Sequence, residues 1–167
     1  MKIDLFEFAR LGDKASGRLA LADMPRVDTP DRSGSLAWKA EIGSGGRRGL
    51  PQFDVEIDGA IELVCQRCLQ AMKHAVAIRS HFLVAQSEEE AAAFDDDDAI
   101  DAIVGAADFD LDALIEDELI LSLPIAPRHE VCPDEENRRS IADEKPSPFA
   151  ALAGFRAAPK RGDDRGG

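Results

Sequence analysis

A chain of 167 residues has room for one domain with a core of useful size, plus tails. Twenty Lys and Arg against 33 Asp and Glu leave a formal charge of −13, so the chain as a whole repels nucleic acid, which must be met by cations that displace its counterions. No apolar run approaches the roughly 20 residues that a membrane helix needs, and 5% aromatic residues with no Tyr imply a core mainly of Leu, Ile, Val and Ala.

At the start of the chain, Asp4 and Glu7 interrupt an apolar run and no small-residue cleavage site follows, so no signal peptide is expected. The expected compartment is the cytoplasm, where three cysteines serve as reduced thiols or metal ligands rather than disulfides. Residues 17–22 form a weak strand candidate. A clearer one carries Leu36, Trp38, Ala40 and Ile42 and ends at Gly43-Ser44-Gly45-Gly46. That glycine run lacks the Lys-Ser/Thr of a phosphate-binding loop and reads as a hairpin turn.

The strongest pattern is at 53–65. Phe53, Val55, Ile57, Ile61, Leu63 and Cys65 alternate with Asp54, Glu56, Asp58 and Glu62, the period of a strand with one dry and one wet face. Gly59 inside it predicts a bend, a bulge or a turn into two shorter strands. Val76, Ile78, Ser80, Phe82 and Val84 repeat the alternation, with Arg79 and His81 facing away; the two segments predict an antiparallel pair. An acidic stretch at 86–99, with Glu88-Glu89-Glu90 and Asp95-Asp96-Asp97-Asp98, lacks calcium-loop spacing and reads as a solvated loop.

The period changes at 110–123. Leu111, Leu114, Ile115, Leu119 and Ser122 follow helical spacing, Asp110 can cap the first turn and Pro124 ends the run. Glu116, Asp117 and Glu118 read as a wet face, or as a surface for a basic partner. The fold class expected is α+β: a mainly antiparallel sheet, one prominent packed helix and a flexible polar C-terminal tail. Residues 1–132 are expected as one domain, and 133–167 as a mostly disordered tail with a short apolar docking segment at 146–155.

Two short pairs carry the chemistry. Cys65-Gln66-Arg67-Cys68 and His129-Glu130-Val131-Cys132 share ligand-x-x-ligand spacing, which lets two side chains meet neighbouring corners of a tetrahedron. Together they make a candidate Cys₃His site for structural zinc. The plainer reading keeps Cys65 as a small core residue and His129 as a surface histidine. A third reading, thiol redox catalysis, wants its first Cys at a helix N-terminus, and no helical pattern follows Cys68. No acid/base or nucleophile constellation supports an RNA-processing enzyme. The few clustered cations, Arg47-Arg48 and Lys160-Arg161, lack interleaved aromatics for stacking bases.

Three segments, taken in order, resemble the YceD family: residues 59–69, running into Cys65-Gln66-Arg67-Cys68; residues 110–124, running on to Pro127, His129 and Cys132; and Lys145-Pro146-Ser147-Pro148-Phe149-Ala150-Ala151-Leu152. Asp23-Met24-Pro25-Arg26 extends the likeness toward the N-terminus. Some family members carry two cysteines in the second cluster, where this chain has His129 and Cys132. The resemblance implies a role in synthesis, processing or stability of large-subunit (23S) ribosomal RNA, and carries over no catalytic residue. A chain of this charge is expected to work through a ribosomal or assembly protein with a basic surface, without a small-molecule substrate or a membrane. Pro148, Phe149 and Leu152 are expected to dock, on their own domain or on a partner.

Overall fold

The computed structural model describes residues 1–43, 46–94 and 101–133. The chain divides into two units, Met1–His129 and Glu130–Gly167; of the second, only 130–133 are described. The first unit is α+β. Five strands, β2 (Lys14–Ala20), β3 (Ser35–Gly43), β4 (Gln52–Val64), β5 (Ala71–Ala85) and β6 (Asp101–Val104), pair in that order. All neighbours run antiparallel except β5 and β6. A two-stranded ribbon joins β1 (Lys2–Ile3) to β7 (Phe109–Asp110).

Alternation in β4 does what the period requires. Phe53, Val55, Ile57, Ile61 and Leu63 are buried on one face. Across the other face Lys39, Glu56 and Arg79 form ion pairs, as do Arg79 and Asp58, and His81 Nδ1 lies 2.6 Å from an Asp54 carboxylate oxygen. Gly59 neither bulges nor splits the strand, because the pairing with β5 continues one-to-one through Gly59 opposite Val76. Its role is close approach: a Cβ there would stand 2.7 Å from Leu36 Cδ2.

The buried face is covered by two helices, α1 (Leu5–Leu11) against β3 and α3 (Leu111–Ser122) across β4 and β5. Asp110 caps α3 through the Ala113 N–H, and Leu111, Ile115 and Leu119 are fully buried. Phe53 lies edge-on between Phe8 and Phe109, with ring centroids 6.3 and 6.4 Å away. Each large apolar side chain removed from water here stabilises by about 1.5–3 kcal/mol. Glu116, Asp117 and Glu118 of α3 are not simply a wet face. Glu116 is buried and accepts from both the backbone N–H and the guanidinium of Arg26, and Glu118 accepts from Ser80 Oγ. This clamp fixes the 24–26 loop against the helix.

Three features were not expected from the pattern. Asp4 accepts from the N–H groups of Phe6 and Glu7 and so caps α1, which ends at Gly12 in the left-handed conformation. Glu88-Glu89-Glu90 open a short helix, α2 (Glu88–Ala92), capped by Ser87, rather than a loop; acids at that end suit the helix dipole. Arg48 lies 4.7 Å over the ring of Phe94, beside a small second core of Leu50, Leu83 and Phe94. Residues 95–98 and the segments 133–167 (beyond Pro133) and 146–155 fall outside the described residues. Among the described residues no helix is long and apolar enough to cross a membrane.

Candidate metal centre

Strand β4 stops at Val64 and β5 starts at Ala71, leaving a six-residue connection, 65–70. It closes on itself: Cys65 N–H donates to the Gln70 carbonyl at 2.9 Å, and Leu69 N–H to the Cys65 carbonyl at 2.8 Å. Leu69 takes a left-handed conformation (φ 62°) with its side chain 72% exposed. Only glycine adopts that region without steric cost.

Pro124 terminates α3, and the chain from there to Pro127 runs back to the knuckle. Gln66 N–H donates to the Pro127 carbonyl at 2.8 Å, and the Arg67 guanidinium to the His129 carbonyl at 3.1 Å. These two bonds bring His129 to the cysteines. Its backbone N–H donates to Cys65 Sγ at 3.4 Å, and its Nδ1 lies 3.4 Å from Cys68 Sγ. One ligand atom from each of Cys65, Cys68 and His129 lies within 4.8 Å of the others, and Cys132 follows three residues later in the chain. Tetrahedral zinc with thiolate at about 2.3 Å places its sulfurs about 3.8 Å apart, so the spread is of the right order.

The electrostatics favour the ligand form of sulfur. Burial raises the Cys65 thiol, but the backbone N–H groups of Cys68, His129 and Arg67, with the Cys68 side chain, lower it further and hold it at about 5. Three thiols and one imidazole, with backbone donors on a sulfur, are the donor set a structural tetrahedral ion takes. His129 is thus brought to the first pair, and Cys65 is a buried core residue as well. Help for a thiolate does come without a helix, from backbone donors, the Arg67 N–H among them. A dithiol catalyst also needs an accessible sulfur, and Cys65 is fully buried.

Sequence reasoning did not assign the fastening of the site to Gln66, Arg67 and Pro127. Pro127, two residues before His129 and three after Pro124, was the available signal, since closely spaced prolines cannot continue a helix. Pro148, Phe149 and Leu152 lie outside the described residues.

A family model described as "Large ribosomal RNA subunit accumulation protein YceD" matches residues 53–156, which include both ligand pairs and α3. No solved structure matches the chain.

Proposed function

This chain belongs to the YceD family, and from that premise we propose that it is a non-enzymatic accessory factor in the accumulation of large-subunit ribosomal RNA. It acts in the cytoplasm, through a ribosomal or assembly protein with a basic surface. The observation that carries the reading is the family match over 53–156, whose described name concerns accumulation of that RNA. Charge supports the protein route: at −13 the chain is attracted to basic proteins and repelled by bare RNA.

We assign Cys65, Cys68, His129 and Cys132 as the ligands of a structural metal ion, zinc by the softness of the donors. When bound, such an ion supplies a cross-link between the β4–β5 turn and the segment after α3. The chain's own residues prepare the site: Gln66 and Arg67 hold the Pro127 and His129 carbonyls, and backbone donors favour the anionic form of the Cys65 sulfur.

The test is made in cells and on the purified chain. Deleting the gene should lower 23S relative to 16S ribosomal RNA, and affinity purification should recover basic ribosomal or assembly proteins. Elemental analysis should find about one zinc per chain. An unchanged 23S level in the deletion strain sinks the function. Turnover of RNA or of a disulfide substrate by the pure protein replaces it with one of the two enzymatic readings.

A further inference from the structure

Beside the knuckle lies a groove of about 380 Å³, walled by residues 28–30, the end of β4, Gln66, residues 123–125 and Pro127. That volume is within the range of sites that enclose a small ligand or a few side chains. Its apolar wall includes Val64, 37% exposed, and Ile125, which is as exposed as in an unfolded chain. A single exposed Ile needs no explanation. The polar character of this wall is more informative.

Three of the lining residues, Pro30, Pro124 and Pro127, have no backbone N–H to offer. Two further donors of the lining are engaged within the protein. Thr29 Oγ1 donates within the protein, where the Glu62 carbonyl lies at 2.7 Å and that of Asp31 at 3.1 Å, and Gln66 N–H is held by the Pro127 carbonyl. The charged side chain in the lining is Asp28, a carboxylate that only accepts. A groove with acceptors, an anion and apolar surface complements a ligand that brings donors, a cation and an apolar side chain.

We propose that this groove binds an extended segment of a basic protein, with a Lys or Arg on Asp28 and a neighbouring apolar side chain against Val64 and Ile125. The inference rests on the reading above that the chain works through a basic protein, and gives that partner a place and a chemistry. Arginine suits the anchor best, because its planar fork can bond a carboxylate and a carbonyl together. Arg128 is next in sequence to Pro127 but lies outside the lining.

The probe is a short synthetic peptide alternating Arg and Leu around one proline, titrated into full-length, isotope-labelled protein and followed by backbone amide shifts. Saturable shifts are expected at Val64, Gln66 and Ile125. Asp28→Asn should weaken binding about five- to tenfold. Ile125→Ser should weaken it about tenfold with no change in melting temperature, since the side chain is already in water. Equal binding by a peptide with Glu in place of Arg, or shifts that map elsewhere, overturns the proposal. So does a Phe149→Ser substitution that alone moves the groove resonances, which makes the chain's own apolar segment the occupant. A concentration-dependent dimer abolished by Ile125→Ser overturns it in favour of a second copy. Failure of the peptide with 23S RNA still depleted in the deletion strain removes the groove and leaves the function. Normal 23S RNA in that strain removes the function whatever the peptide does.

Discussion

Along β4, alternate side chains from Phe53 to Leu63 are buried against α1, α3 and one another, and their positions follow from apolar contact alone. Just past the end of the same strand, Gln66, Arg67, Leu69 and Gln70 all face solvent. The knuckle is held instead by two backbone bonds within the turn, two bonds to the 127–129 segment and donors on sulfur. The sheet is stabilised by many interchangeable contacts of modest size. The knuckle depends on a few directional ones, so losing a single atom there changes the local structure and not the global fold.

The largest effect expected on stability is in the sheet. Phe53→Ala, at a fully buried ring, should cost about 3–5 kcal/mol in chemical denaturation, equally with and without a chelator. A cost that depended on chelation would mean that the two regions are not separable. In the knuckle, Cys68→Ser should abolish the bound metal by elemental analysis. Amide exchange should then accelerate at 65–70 and 127–129, while protection of β3–β5 persists. Collapse of the protection in those strands would make the metal part of the global fold.

A smaller effect sharpens the comparison where the regions adjoin. Thr29 is buried with its hydroxyl on the Glu62 and Asp31 carbonyls, so Thr29→Val should cost about 1–2 kcal/mol by denaturation. Acidity supplies a further probe. The folded Cys65 pKa of about 5 lies below that of an ordinary cysteine, so its contribution to the metal-free knuckle is complete only above the unfolded value. That contribution declines as pH falls and is gone below about 5; knuckle amide protection should follow it, and Cys65→Ser should remove the dependence. The smallest change is a gain. Leu69→Gly relieves a left-handed leucine whose side chain is mostly in water, and should add about 0.5–1 kcal/mol.

The parts of the fold legible from sequence were those governed by period. Strands β3, β4 and β5 and helix α3 carry patterns long enough to declare both type and buried face. Helix α1 was missed because seven residues give barely two turns, although Asp4 before it and Gly12 beyond it are its caps. Glu116 could not be read as buried, since its partner Arg26 is 90 residues away in sequence. The ligand set was legible as two spacings that could complete one site; the bonds that bring His129 to Cys65 and Cys68 were not.

What the sequence determined by itself is the set of local commitments: alternation in the strands, caps on the long helix, and two ligand pairs of the right chemistry. These depend on neighbours within a few residues, where backbone geometry is nearly fixed by residue type. Only the tertiary structure decided what lies far apart along the chain. It carried His129 to Cys65 and Cys68, set Glu116 on Arg26 and made a groove holding one carboxylate, Asp28, from 28–30, 123–125 and Pro127. Such contacts depend on how elements pack in three dimensions, and no periodicity in one chain segment encodes its distance to another.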